Sequence, residues 1–416
     1  MNLPFQLVFI LVLSALLIHP VPSLTPDPPN TPSPLWTDSF GSGDVSCSDD
    51  GAYIVAGSGG IIRMYTSTGK ILWTFKRDEK KVKSVAISGN GEYVSAVFLD
   101  TDVPDYFSDA QILFFNRSGG LLWEYDRDYT IHHVAISDDG NTLYASGSPR
   151  QYSFDQNGTL LGITTLEGRI WSLESAADGS YAVAGSALSG NRISVFNRNG
   201  IPLWNYSARP GILCLKISHQ GKTIVSAGYS HLYLFDRNGT LKWQYNSSSD
   251  FRDIAVSPDG EYIAGGAQYY FWLFNQTGSL VWQKQYKDFV HAVGFSHDSK
   301  RVIAGTSHGI EVYDLNSNLI WNYPTPKAIL HLSTAEDAEY FVAGTSDMVY
   351  FFNDRGDPSG TMVPVSTVSD YPVLSNITLD REQTTKYSPI PLWLVIIAVS
   401  CVAIITLKKA GTAPPM

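Results

Sequence analysis

Three groups of residues could do chemistry. The densest is an acidic stretch, Asp100-Thr101-Asp102-Val103-Pro104-Asp105-Tyr106-Phe107-Ser108-Asp109. Its carboxylates, Asp100, Asp102, Asp105 and Asp109, are hard oxygen donors of the kind that hold Ca²⁺. Their spacing follows no known calcium loop, and a solvated acidic loop has the same composition, so calcium is an expectation with a plain alternative. The second is Gly305-Thr306-Ser307-His308-Gly309, which has the spacing of a nucleophile elbow. That motif needs a strand-to-helix turn to expose its serine. The third is a set of Asn-x-Ser/Thr sequons at Asn116, Asn157, Asn205, Asn238, Asn246, Asn275 and Asn376, acceptors for N-glycans if they lie on a secreted surface. No His-Glu-x-x-His or Cys-x-x-Cys zinc signature occurs. Arg355-Gly356-Asp357 spells an integrin-type tripeptide, but Gly356 has another explanation in the repeat described next.

The elements that position these groups come from an internal period. An aromatic residue four positions before a Gly, itself four before a Trp, is seen in Tyr65 to Trp73. The aromatic recurs at Tyr65, Phe115, Phe154, Phe196, Phe235, Phe274, Tyr313 and Phe352, mostly 39 residues apart and nearly always followed by Asn or Asp. The Gly recurs at Gly69, Gly119, Gly158, Gly200, Gly239, Gly278 and Gly356, with Ser317 as the exception. The Trp recurs at Trp73, Trp123, Trp204, Trp243, Trp282 and Trp321. Turn signals such as Ser48-Asp49-Asp50-Gly51, Ser137-Asp138-Asp139-Gly140 and Ser257-Pro258-Asp259-Gly260 separate runs such as Val85-Ala86-Ile87 and Tyr53-Ile54-Val55-Ala56-Gly57. Each unit therefore reads as four strands, A to D, with the aromatic-Asn/Asp pair closing C and the Trp on D. Eight such units over 34–356 predict an all-β, eight-bladed β-propeller.

The eighth unit has no Trp strand after Gly356, and Pro34-Leu35-Trp36-Thr37 at the start matches Pro202-Leu203-Trp204-Asn205. Trp36 is therefore expected to complete the last blade, so that the ring closes without an open edge. Gly162 stands where the third unit should carry its Trp, which predicts a looser junction there. The aromatic-Asn/Asp pair resembles the Trp-Asp of WD-repeat propellers, and Tyr65 to Trp73 resembles the repeat of pyrroloquinoline-quinone (PQQ)-type propellers. The resemblance covers about 34–356 and implies a fold and little about activity. The PQQ enzymes it brings to mind use an adjacent-cysteine disulfide, and this chain has only Cys47, Cys214 and Cys401. Cys47 and Cys214 fall in units 1 and 5, on opposite sides of a ring, and should not pair.

In propellers of this strand order the D–A and B–C loops share one face. The starts of the A strands bring Lys83, His132, His133, Trp171, Arg252, Asp253, His291 and His331 to that face, and the B–C loops bring Tyr106, Phe107, Tyr229, His231, Tyr269, Tyr270 and His308. Exposed aromatics mixed with polar groups suit a protein or glycan ligand. Strand-end packing is the plainer account of the same residues. Glu174 and Lys216 hold one register in adjacent units and are expected to form a buried ion pair.

Composition bounds the rest. A formal charge of −10 argues against nucleic acid. Leu3–Ile18 is apolar, and Val21 and Ser23 fit a cleavage site, so 1–23 reads as a signal peptide. The lack of Lys or Arg before it leaves an uncleaved anchor as the alternative. Residues 24–33 read as a Pro/Thr-rich linker and 357–389 as a polar stalk. Ile390–Leu407 carries no charge, with Trp393 near one end and Lys408-Lys409 beyond the other. At 1.5 Å per residue it spans about 27 Å, which reads as a transmembrane helix followed by a cytoplasmic tail, 408–416. The expectation is a single-pass cell-surface protein whose propeller lies outside the cell. Its function reads as non-catalytic binding or scaffolding of protein or carbohydrate. The alternative is an extracytoplasmic hydrolase, lyase or dehydrogenase with its site in the central channel.

Overall fold

Alternation of apolar and polar residues in runs of about six, broken by Gly and Asn/Asp turns, gives short antiparallel strands in every unit. In the sixth they are Phe251–Val256, Tyr262–Ala267, Tyr270–Asn275 and Leu280–Gln285, hydrogen-bonded in that order. The computed structural model describes residues 32–104, 108–127, 130–356 and 373–375. Within 36–353 it contains eight sheets of four such strands. The expected signal peptide and transmembrane helix, most of the linker and stalk, the tail, Asp105, Tyr106, Phe107 and Asn376 lie outside the described residues. Among the described residues no helix is long and apolar enough to cross a membrane. The ring lies within Met1–Val373, the first of the chain's two units.

The eighth blade combines His331–Thr334, Tyr340–Gly344 and Val349–Asn353 with Trp36–Asp38. Trp36 pairs with Phe351 and Asp38 with Val349, so the N-terminal strand closes the ring as the sequence requires. Strands B and C are buried almost throughout, because sheets cover them on both faces. Outer strands such as Leu241–Asn246 alternate between half-buried and exposed.

One contact repeats between blades. The indole N–H of each D-strand Trp donates to a backbone carbonyl in the C–D turn of the next blade. The pairs are Trp36 to Ser67 (3.0 Å), Trp73 to Arg117 (2.9 Å), Trp123 to Gln156 (3.1 Å), Trp204 to Arg237 (2.9 Å), Trp243 to Gln276 (2.9 Å), Trp282 to Leu315 (3.0 Å) and Trp321 to Asp354 (3.1 Å). The repeat Gly lies two residues after each carbonyl. At Gly119, φ is +86° and an added Cβ would stand 2.7 Å from the Trp73 ring. The turn therefore needs Gly both for its left-handed backbone and for the space the indole fills. Ser317 replaces it in one turn and still adopts φ 69°. The Asn or Asp closing strand C caps the same turn: Asp236 Oδ1 accepts from the amides of Asn238 and Thr240, both at 3.0 Å.

The third junction is not looser, contrary to the sequence expectation. Without a Trp on its outer strand, blade 3 admits the turn of blade 4 itself; a Cβ on Gly162 would meet the Asn199 carbonyl carbon at 2.3 Å. Thr164 Oγ1 donates to the Gly200 carbonyl at 2.6 Å, and Ser153 Oγ to that of Arg198 at 2.7 Å. Two hydroxyls replace one indole.

Trp73→Phe should destabilise the chain by about 1–3 kcal/mol, because the Arg117 carbonyl loses its buried donor. Gly119→Ala should cost more, since it adds backbone strain to a steric clash. Denaturant unfolding of both variants measures the two effects.

Candidate functional site

The A strands line the axis, and a distortion in them aims the candidate residues. In blades 2 to 7 the pairing of A with B slips by one residue, at Lys83, His132, Trp171, Leu213, Arg252 and His291. A bulged residue leaves the ladder and its side chain is redirected. Lys83, Trp171, Leu213, Arg252 and His291 consequently line an axial cavity of about 750 Å³, with His133, Asp253 and His331 beside them. His132 departs from the expectation: it takes the bulge of blade 3 but is 3% exposed and does not line the cavity.

The described B–C loop residues lie on the same face, outside the cavity, because each B–C turn bonds to the end of strand D. The Tyr286 amide donates to the Tyr269 carbonyl at 2.8 Å, and the Thr325 amide to that of His308 at 3.1 Å. Tyr269 and His308 are exposed. Tyr270 stacks on Trp272, and His231 stacks on Tyr233 with Nδ1 3.0 Å from the Tyr229 carbonyl oxygen, so these two belong to the packing as much as to a surface.

Several channel groups are already engaged. Asp253 Oδ2 accepts the Val293 amide at 2.9 Å, and Asp44 Oδ2 accepts the Val85 amide at 2.9 Å, each reaching the A strand of the next blade. Asp253 is thus a blade link as well as a channel residue. His331 Nδ1 lies 3.7 Å from Asp44 Oδ1. His291 Nε2 lies 3.1 Å from Ser307 Oγ, yet Ser307 sits in the hairpin between Arg301–Thr306 and Gly309–Asp314, not in a strand-to-helix turn. The Glu174–Lys216 pair forms at 2.6 Å. It is not buried, however: the side chains are 27% and 45% exposed, because the channel brings solvent to them. Glu174 beside it raises the pKa of Lys216. Burial pushes the His133 imidazole down to about 3 and the Asp253 carboxyl up to about 6.

The other end of the cavity was not anticipated. The second position of the A–B turn is, across the eight blades, Asp49, Gly89, Asp138, Ala177, His219, Pro258, His297 and Glu336. Asp49, Asp138, His219 and Glu336 line the cavity. The signal was in the sequence, in Ser48-Asp49, Ser137-Asp138 and Ser218-His219, but it reads as turn chemistry until the repeats are aligned on that column. Ligating atoms of Asp49, Asp138 and His219 lie within 4.8 Å of one another. Burial and the neighbouring Asp138 raise the Asp49 carboxyl to about 6, and burial raises Glu336 to about 7.

The acidic loop behaves differently. Asp100 pairs with Lys80, and Asp102 Oδ1 accepts from Thr101. Asp109 is exposed. Among the described residues these carboxylates do not form a cluster of metal-ligating geometry. Of the sequons, Asn157, Asn205, Asn238 and Asn246 are exposed, whereas Asn116 and Asn275 turn their Oδ1 atoms back to cap the C–D turn.

A family model described as outer membrane protein assembly factor BamB, of the PQQ-repeat type, matches residues 27–195, less than half of the chain. The C-terminal WD40 domain of Sif2 superposes with a TM-score of 0.64 at 15% identity, covering 78% of this chain and 98% of that one. Sqt1 of Chaetomium thermophilum, solved bound to the N-terminus of ribosomal protein L10, gives 0.63 at 14% identity, covering 77% and 100%. The chain is an eight-bladed β-propeller resembling both repeat types. The Dos1 propeller gives 0.64 at 14% identity, covering 77% and 95%. At these identities the solved structures establish the propeller fold. No curated protein matches the sequence.

Glu336 predicts a pH dependence. Its folded pKa is raised, so its contribution to stability is greatest below the unfolded value and is lost as pH rises through about 7. In chelator-treated protein, Glu336→Gln should raise the thermal midpoint relative to wild type at pH 8, and that advantage should shrink through pH 7 and vanish only below the unfolded carboxyl's value of 4.5. Melts across this range measure it.

Proposed function

We propose that this propeller is a binding scaffold, presented outside the cell, that takes a protein ligand at the face where the D–A and B–C loops meet. The observation that carries the reading is the run of bulged A strands. It turns Lys83, Trp171, Arg252 and His291 from four blades into one cavity, with His133 and His331 beside them. Arg169 lies 4.1 Å over the Trp171 ring, and the Trp171 indole nitrogen is buried with no hydrogen-bond partner. A rigid ring that offers a broad indole, a guanidinium and several imidazoles suits a polar or acidic peptide segment. Sqt1, a propeller of the same architecture, was solved with the N-terminus of a ribosomal protein, which lends the reading support by analogy of fold.

The alternative of a channel enzyme needs an acid and a base converging on one reacting position. At the loop-face end of the channel the raised carboxyl of Asp253 is committed to the Val293 amide, which favours the scaffold reading for that face. The apolar stretches at the two ends of the chain support delivery to and retention at a membrane.

The test is site-specific photo-crosslinking in native membranes of the source cell. A benzoylphenylalanine at Tyr269 or His308 should give a discrete protein adduct, and one at Lys242 on the outer strand should not. Arg252→Glu and Trp171→Ala should each reduce the adduct at least fivefold. Adducts formed only from Lys242, or adducts unchanged by both substitutions, would contradict this reading. A glycan-array signal lost in the same two variants would assign the face to carbohydrate instead.

A further inference from the structure

We propose that Asp49, Asp138 and His219, with Glu336, form a divalent transition-metal site at the A–B end of the axial cavity. These residues come from blades 1, 3, 5 and 8 and occupy one repeat position, so the ring brings together groups far apart in sequence. Asp138 Oδ2 lies 3.8 Å from His219 Nδ1, and the three potential donor atoms of Asp49, Asp138 and His219 lie within 4.8 Å of one another. Ligands about 2.0–2.1 Å from a tetrahedral zinc stand about 3.4 Å apart, so small side-chain rotations suffice to close the set.

One further observation points to an occupant, and the local packing is compatible with it. Glu336 Oε2 is buried and has no hydrogen-bond partner, although it lines the same end of the cavity and its carboxyl interacts with His219, Asp49 and Asp138. Gly89 leaves room for the donors: a Cβ there would fall 2.0 Å from Asp49 Oδ2 and 2.8 Å from Asp138 Cβ. Three carboxylates hemmed in together repel one another, and Lys216 and His219 are the cationic or potentially cationic groups that face Glu336. A cation bound among them removes that repulsion and ties blades 1, 3, 5 and 8 together across the axis.

One imidazole with carboxylates suits Zn²⁺, with Co²⁺ as its spectroscopic substitute, better than Ca²⁺ or Mg²⁺, which prefer all-oxygen shells. The site differs from a second His/Asp cluster, His297, Asp298 and Asp354, where Arg301 already lies 3.7 Å from Asp298 and 3.2 Å from Asp354.

The experiment uses the full chain, stripped with chelator and titrated with ZnCl₂, CaCl₂ and MgCl₂ by calorimetry, and with CoCl₂ by visible absorption. The expected result is one Zn²⁺ per chain, with Ca²⁺ and Mg²⁺ binding at least tenfold more weakly. Co²⁺ should give ligand-field bands that Zn²⁺ displaces. His219→Ala and Asp138→Asn should each weaken Zn²⁺ binding at least tenfold, while Asp298→Asn leaves it unchanged. Should either site variant unfold, the wild-type Co²⁺ spectrum and the milder Glu336→Gln, expected to weaken Zn²⁺ threefold or more, decide the matter. Lack of Zn²⁺ binding, unperturbed Co²⁺ bands, or affinity unchanged in folded His219→Ala and Asp138→Asn would overturn the proposal.

Discussion

The contact between an indole and the turn of the next blade is the constraint on which the rest of the structure depends. A four-stranded sheet of about 39 residues cannot bury its own faces, so each blade is stable only against its neighbours. The Trp, the carbonyl it reaches and the Gly beneath its ring set the distance and tilt of adjacent blades in one device. It repeats from Trp36 to Trp321, and the N-terminal strand adds the copy that the eighth unit lacks. Blade 3 shows that the requirement is for the junction and not for the residue. There Thr164 and Ser153 donate to the same turn, and Gly162 lets the backbone approach.

Because the outer rim is fixed in this way, the inner strands can afford irregularity. Bulges in six A strands would weaken an isolated sheet, yet here five of the six bulged residues face the axial cavity, where no neighbouring sheet has to pack on them. They place Lys83, Trp171, Arg252 and His291 at one end of the cavity. The A–B turns place Asp49, Asp138, His219 and Glu336 at the other. The two ends differ in chemistry, with mainly cationic and imidazole groups at the first and mainly carboxylates at the second. The Glu174–Lys216 pair belongs to the same wall.

The fold was legible in the sequence because its determinants are local and repeated. Tyr65, Gly69 and Trp73 stand at fixed spacing, and each spacing corresponds to one turn or one contact. The register of Glu174 with Lys216 was legible for the same reason. Their exposure was not, since it depends on the width of the channel, which no single unit encodes. His132 and His133 were indistinguishable by position; in blade 3 the bulged His132 is buried and the in-register His133 lines the cavity, the reverse of the other bulged blades, and composition carries no mark of it. The axial cluster was hidden because Asp49, Asp138 and His219 each sit in an ordinary turn, and their chemistry appears only when three separate blades meet. In the acidic stretch, closeness in sequence does not by itself aim carboxylates at one point: among its described residues Asp100 turns to Lys80 and Asp102 accepts from Thr101.

The account stands most directly on ring closure by the N-terminal strand. Replacing Trp36-Thr37-Asp38 with Gly-Ser-Gly in the full chain removes that strand's indole and its pairing with Val349–Asn353 while leaving the other junctions in place. The measurement is the thermal unfolding curve of this variant beside the wild type. The account predicts one cooperative transition in the wild type and a midpoint lower by more than about 5 °C in the variant, as expected when an opened edge costs several kcal/mol. An unchanged midpoint, or a wild-type curve that melts blade by blade, would contradict it.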